Sequence, residues 1–206
     1  MTNVNDDAKA ILERISSMCS NAESVLNLCM LGFQKNKVEL LDDAQRISRL
    51  GHDEENETVS MLSGVNKNDE SEKNRFKTLA VVVGHIEMAT DVMDSMIRHI
   101  RVKINEKLLF GDKAANEVTQ LFKETLDVLK TAKDAILTKN ELLRKHVCDK
   151  YDSISRLVCD YSEEHEERLI MGICQPKSAS LYLNIVDSQS KVAMHIKQAI
   201  ERYFSQ

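Results

Sequence analysis

The chain repeats one short segment at a distance of about half its own length. Ile-Ser-Arg-Leu occurs at Ile47–Leu50 and again, 107 residues further on, at Ile154–Leu157, and an acidic stretch follows each copy. Matched acids continue beyond the tetrapeptide, as with Asp53 and Asp160. A fixed spacing of this kind predicts two related units of roughly 100 residues each. Chance is the alternative, because these four residue types are common on helices.

The composition between the repeats favours helices over strands. The 206 residues include only one proline and six glycines, and apolar side chains recur at steps of three and four along most of the chain. Such stripes are typical of amphipathic helices, and Thr138–Glu141 resembles a capping box that opens the fifth helix. Gly172 and Pro176 predict the end of that helix, because glycine ends helices and proline cannot continue one. Six helices are expected, at about Asn5–Gln34, Lys37–Leu62, Asn74–Ile100, Asp112–Ile136, Thr138–Met171 and Ser178–Tyr203.

These helices divide evenly between the two repeats. We therefore predict an all-α protein of two tandem, structurally related three-helix bundles, spanning residues 5–105 and 112–203. Short connections and one long stripe on each helix favour antiparallel bundles. A heptad coiled coil is the competing fold, but the apolar steps show no regular period of seven.

Charge, hydropathy and cysteine content limit the classes of protein. The net charge is −5, whereas nucleic-acid binding needs a basic face. No apolar run approaches the ~20 residues that span a bilayer, and the polar start of the chain is unlike a signal peptide. The five cysteines are odd in number and lack a Cys-x-x-Cys motif, which favours free thiols in a reducing compartment. We expect a cytoplasmic protein that is peripheral to a membrane at most.

Two pairs of carboxylates are candidate metal ligands. Glu87 and Asp91 are four residues apart on the third predicted helix, at the margin of its apolar stripe, and Asp149 and Asp152 are three apart on the fifth. Both spacings place two carboxylates on one face of a helix. A hard cation bound by their oxygens would relieve the like-charge repulsion. An ordinary solvated acidic pair is the alternative in both places.

Motifs for covalent chemistry are missing from the sequence. It contains no Gly-rich phosphate loop, no nucleophile elbow and no His/Glu zinc helix. The histidines form no His-x-x-x-His pair, and His165, among Glu163, Glu164, Glu166 and Glu167, is interpreted as part of a surface ion-pair network. We therefore expect no enzymatic activity.

Several segments nevertheless resemble a known family. Val81–Asp91 is similar to the segment of PhoU-type domains whose core reads Glu-Arg-Ile-Gly-Asp, with Glu87 and Asp91 at its two acids. Residues 165–169, then Gly172-x-Cys174-x-Pro176, then 182–185 follow the order of the PhoU-like cytoplasmic tail of sodium/phosphate cotransporters. The resemblance extends over about residues 10–203.

The resemblance implies a duplicated three-helix bundle, a regulatory role in inorganic phosphate uptake, and acidic motifs that hold metal clusters. The metal implied is a divalent or iron- or zinc-type cation. In the sixth helix the acids of the family motif fall on Ser190 and Met194, and Cys148 stands four residues before Asp152. The motif of the second half is therefore incomplete.

Three functions are compatible with these features. The first is a non-catalytic interaction domain that binds a protein of the phosphate-transport machinery, either as a stand-alone protein or as a cotransporter tail. The second is a metal-storing or metal-sensing helical protein, and the third is an enzyme that acts on phosphate esters through such metals. A homodimer is also expected, with the Met- and Ile-rich run from Met93 to Ile104 as its candidate edge.

Overall fold

The computed structural model describes residues 4–64 and 70–205 of the chain. These residues form six α-helices and contain no strand, which confirms the all-α prediction. The helices are α1 (Val4–Lys35), α2 (Val38–Gly64), α3 (Glu70–Asn105), α4 (Asp112–Thr138), α5 (Glu141–Ile170) and α6 (Pro176–Phe204).

The end of α5 follows the sequence signals closely. Gly172 has a φ of 73°, and its N–H donates to the carbonyl of Leu169, while the N–H of Ile173 donates to the carbonyl of Arg168. These two bonds form a Schellman motif, which a glycine closes without a Cβ clash. Pro176 then occupies the first turn of α6, where a missing N–H costs nothing.

Two predicted helix starts are wrong. Helix α3 begins at Glu70, one turn before Asn74, and residues 65–69 lie outside the described residues. The capping box at Thr138 does not form, because α4 continues to Thr138 and ends at Lys139, whose φ is 49°. The N-cap of α5 is Asn140, whose side-chain oxygen accepts from the backbone N–H of Leu142 at 2.8 Å.

The helices pack as two groups of three that also contact each other. Within 4–64 and 70–105, α1, α2 and α3 pack together, and α4, α5 and α6 do so in the second half. Helix α3 also packs along α6, and α1 along α4, so that the buried apolar residues form one continuous core. That 5–105 and 112–203 are separate domains stays a prediction.

The candidate edge for self-association is wrong. Met93, Met96, Ile97 and Ile100 are fully buried in the core of the single chain. Helix α6 covers this part of α3, and the side-chain amide of Gln189 contacts the sulfur of Met96 at 3.6 Å. The apolar face of α3 that was predicted to contact a second copy is therefore buried against the second half of the same chain. The homodimer itself stays a prediction, and it needs another surface.

Among the described residues, none of the helices is both long enough and apolar enough to cross a membrane.

Candidate functional site

An acidic cluster lies where α2 packs against α3. Helix α3 contributes Glu87, Asp91 and Asp94, and α2 contributes His52. Nε2 of His52 lies 3.3 Å from Asp94 Oδ2 and 3.9 Å from Asp91 Oδ1, and its Nδ1 lies 3.9 Å from Glu87 Oε1. The imidazole therefore stands at the centre of three carboxylates on the neighbouring helix.

Two side chains of α2 hold Asp94 in place. Its Oδ1 accepts a hydrogen bond of 2.6 Å from the hydroxyl of Ser48 and one of 3.2 Å from the side-chain amide of Gln45. Because Oδ1 is occupied in this way, Oδ2 is the oxygen that faces His52. Hydrogen bonds to a ligand carboxylate fix its orientation, as in the outer shell of many metal sites.

The electrostatics of the cluster disfavour a full set of negative charges. Burial raises the pKa of the Glu87 carboxyl above its ordinary value, and Asp91 raises it further through its negative charge and a hydrogen bond. Glu55 adds its charge in the same direction, whereas His52 lowers this pKa. A bound cation would stabilise the ionised form, since opposite charge at short range favours the carboxylate.

The donor atoms are close enough together for one cation. One ligand atom each from His52, Asp91 and Asp94 lies within 4.8 Å of the other two. A set of one imidazole nitrogen and carboxylate oxygens suits first-row transition metals better than calcium or magnesium. Asp91 is 62% exposed at its side chain, so the set opens toward solvent on that side. Similar exposed groups are common without a metal, and binding here stays a prediction.

The acids of the second half lie elsewhere. Asp149 and Asp152 are both exposed on α5, and α5 does not pack against α3 in the described chain. The structure therefore does not bring them to Glu87 and Asp91. Beside this stretch of α5, the thiol of Cys148 lies 3.8 Å from Glu201 of α6.

Sequence reasoning missed two members of the cluster. Asp94 follows Asp91 by three residues and so shares its helical face, which is a local signal that the sequence offered. His52 offered none, because its approach to Asp94 spans 42 residues and depends on how α2 packs on α3.

A second polar centre is buried between α4, α5 and α6. Arg168 forms a two-pronged pair with Glu117, with N–O distances of 3.1 and 2.8 Å, and the hydroxyl of Tyr182 donates to Glu117 at 2.5 Å. The ring of His165 stacks on that of Tyr182 at 4.0 Å. The interpretation of His165 as a surface residue is therefore wrong, since it is only 3% exposed.

The fold and the acidic cluster together define a helical protein of two packed three-helix groups, with a candidate metal site on the first. The structure is similar to the crystal structure of PhoU from Pseudomonas aeruginosa, with a TM-score of 0.87 and 14% identity over 98% of this chain and 97% of that one. It is also similar to the phosphate transport system regulatory protein PhoU from Streptococcus pneumoniae, with a TM-score of 0.79 and 14% identity over 98% and 95% of the two chains.

No family model and no curated protein sequence matches this chain. The two structural comparisons confirm the PhoU-like fold that the sequence resemblance implied.

Proposed function

We propose that this protein is a non-catalytic regulator of inorganic phosphate uptake, which acts by binding a protein of the phosphate-transport machinery. The observation that carries the proposal is the likeness to PhoU proteins along nearly the whole length of both chains. One of those proteins is described as a phosphate transport system regulator. The proposal places the protein in the cytoplasm, at the inner face of the membrane when its partner is a transporter, and it includes a cotransporter tail as an alternative to a stand-alone protein.

The chemistry of one partly buried thiol, Cys148, and one exposed thiol, Cys159, supports a non-catalytic role. Burial, together with the charge of Glu201, raises the pKa of the Cys148 thiol, and a hydrogen bond to Glu163 raises that of Cys159. Catalytic cysteines need the opposite shift, because the thiolate is the nucleophile. The enzyme alternative would have to rely on metals in the acidic cluster.

A patch of exposed apolar side chains offers a place for a protein partner. Ile170, Met171 and Ile173 are all largely exposed at the connection between α5 and α6. Large apolar groups that cluster on a surface are typical of protein-binding sites. This patch is also the better candidate for the predicted homodimer contact, because Met93, Met96, Ile97 and Ile100 of the expected edge are buried within the single chain.

Uptake of radiolabelled phosphate by cells that lack the gene tests this proposal. Uptake is expected to lose its normal response to external phosphate, and the wild-type gene should restore that response. The pair Ile170→Glu/Met171→Glu should fail to restore it, because two buried charges would oppose docking. Leu142→Glu, which alters an equally exposed apolar residue of α5, is the matched control and should restore it. Unchanged phosphate uptake in the deleted cells would overturn the proposal.

Metal sensing or storage is the second candidate function, and the grouping of His52, Asp91 and Asp94 favours it. Elemental analysis followed by titration with manganese, iron, zinc and magnesium should show at least one ion bound per chain. Glu87→Gln/Asp91→Asn should weaken binding by about tenfold or more, because it removes the candidate ligand Asp91 and the neighbouring charge of Glu87. Asp149→Asn/Asp152→Asn, on exposed residues of α5, should have a smaller effect.

The pH dependence of metal binding follows from Glu87. Glu87 lies beside Nδ1 of His52 and outside the set of His52, Asp91 and Asp94, but a cation in that set would favour its ionised form. Affinity should therefore increase as the pH rises through the raised pKa of Glu87. Asp94→Asn should weaken binding as well, although no local motif includes it. Metal that stays bound to the Glu87/Asp91 double variant would place the site elsewhere.

A further inference from the structure

The N-termini of two long helices meet at one cavity of about 530 Å³. Gly111 to Ala114, at the start of α4, form one part of its wall, and Gln175 and Ser178, at the start of α6, form another. Within the described chain, neither N-cap residue, Gly111 or Gln175, provides a side-chain cap. The first N–H groups of α4, and those of Lys177 and Ser178 after Pro176 in α6, are therefore left without a capping side chain from either N-cap residue, and both helix dipoles favour negative charge there.

A buried histidine on the same wall also lacks an acceptor. Nη2 of Arg168 lies 3.2 Å from Nδ1 of His165, and a guanidinium can only donate. Nδ1 must therefore accept, which places the proton of the neutral ring on Nε2. The Nε2 atom is buried and has no hydrogen-bond partner among the described residues. A buried donor left in this state lowers stability, so an acceptor bound beside it would be favourable.

The neutral state of His165 agrees with its surroundings. Burial lowers its pKa, and the positive charge of Arg168 lowers it further, while Glu117 acts in the opposite direction. The Nε2–H donor is therefore present in the ordinary range of pH.

Arg168 adds another unsatisfied donor. It also lines the cavity, and its Nε is buried without a partner even though its two terminal nitrogens bind Glu117. The cavity wall also carries two basic side chains, Lys107 and Lys113, and one acidic side chain, Asp112. Because Glu164 pairs with Lys113 and Glu117 with Arg168, recognition here relies on N–H groups more than on net charge.

The rest of the wall is apolar. Leu108, Leu109, Phe110 and Ile173 line it, and the volume is in the range of cavities that hold small organic ligands rather than a bare ion. We propose that this cavity binds a small molecule that carries an oxyanion group, a carboxylate or a phosphate, on an apolar body. The oxyanion accepts from His165, Arg168 and the helix N-termini, and the body packs on the leucines and Phe110.

Isothermal titration calorimetry on the purified protein tests this with four probes. Phenyl phosphate and benzoate carry both parts of the proposed ligand and distinguish a phosphate from a carboxylate, whereas phenol lacks the anion and inorganic phosphate lacks the body. At least one of the first two should bind about tenfold or more tightly than both of the others, a difference of about 1.4 kcal/mol. In a parallel titration followed by NMR, the signal of the His165 Nε2–H should shift when a ligand binds.

Two variants locate the binding. His165→Phe keeps the ring stacked on Tyr182 but removes the donor, and it should weaken binding about tenfold. Leu109→Glu places a negative charge on the cavity wall at a residue that is 85% exposed, so the fold is retained and anion binding should fall even if His165→Phe does not fold. Leu142→Glu, at a residue that is 77% exposed and away from the cavity, is the matched control.

Three results would overturn the proposal: no binding of any probe at millimolar concentration, phenol binding as tightly as benzoate and phenyl phosphate, or binding that Leu109→Glu leaves unchanged. None of these measurements depends on phosphate transport, so the outcome is independent of the proposed function.

Discussion

Glu117→Ala is expected to lower the free energy of unfolding by about 3 kcal/mol, one of the largest effects of any single substitution in this protein. Glu117 is 5% exposed and its partner Arg168 is 14% exposed at the side chain. Removing the carboxylate leaves a guanidinium in a poorly hydrated position with its strongest partner gone. Glu164, at 3.7 Å from Arg168, limits the loss, which is why the lower end of the usual range applies.

A second contribution comes from Tyr182. Its hydroxyl, buried under α5, donates to Glu117 and has only a longer contact of 3.4 Å with the carbonyl of Tyr161. Burial and the hydrogen bond to Glu117 raise the pKa of the Tyr182 phenol, so this hydroxyl stays protonated and needs an acceptor. Tyr182→Phe removes the hydroxyl donor and with it the requirement for an acceptor. It should therefore lower the free energy of unfolding by only about 1 kcal/mol.

Urea unfolding followed by far-UV circular dichroism measures these losses. Glu124→Ala is the matched control, since Glu124 also joins α4 to α5 through a basic residue, Lys150, at 2.6 Å. That pair is more exposed, so its loss should cost less than about 1 kcal/mol. Equal losses for Glu117→Ala and Glu124→Ala would show that the Glu117–Arg168 pair gains nothing from burial.

Most of the helical fold could be predicted from local signals. The apolar steps located six helices, and Gly172 and Pro176 marked the sharpest boundary, because one residue favours a positive φ and the other cannot continue a helix. The choice of partner for each helix could not be predicted. An apolar stripe shows that one face of a helix is buried, but it does not identify the helix that covers it. For this reason the face of α3 that packs on α6 was mistaken for a surface for self-association.

The same limit applies to the polar sites. Glu87 and Asp91 were found because both lie on one helix, whereas His52 joins them only through the packing of α2 on α3. His165 was misjudged because its neighbours in sequence are charged, while its burial depends on Tyr182 of another helix. The repeat also conceals a difference: Ile154 is fully buried, but Ile47 is only half-buried and Ser48 is the residue that turns inward.

Phe122→Ala is expected to lower the free energy of unfolding by about 3–5 kcal/mol. Phe122 of α4 is fully buried, and its ring lies 6.2 Å from that of Phe33 of α1, which in turn meets Phe110 edge-on at 5.6 Å. These three rings lie where the first half of the chain meets the second. Truncating Phe122 removes a large apolar area from this cluster and leaves a cavity that neighbouring helices cannot easily fill.

The measurement should follow both halves of the chain separately. All four tyrosines lie in residues 112–203, so their fluorescence reports on the second half. Cys19 and Cys29 are buried in the first half, and their protection from an alkylating reagent reports on that half. Because one core joins the halves, Phe122→Ala should shift both signals to the same lower urea concentration. Phe204→Ala, a half-buried ring near the end of the chain, should cause a smaller shift.

The coincidence of the two signals is the decisive part of this experiment. If the tyrosine signal moved while Cys19 and Cys29 kept their wild-type protection, 5–105 and 112–203 would unfold as independent domains, as the repeat alone suggests. The contacts of α3 with α6 and of α1 with α4 argue against that result, since the buried apolar residues of both halves form one continuous core. A substitution in α4 should therefore expose cysteines in α1, because the unit that unfolds is the pair of bundles.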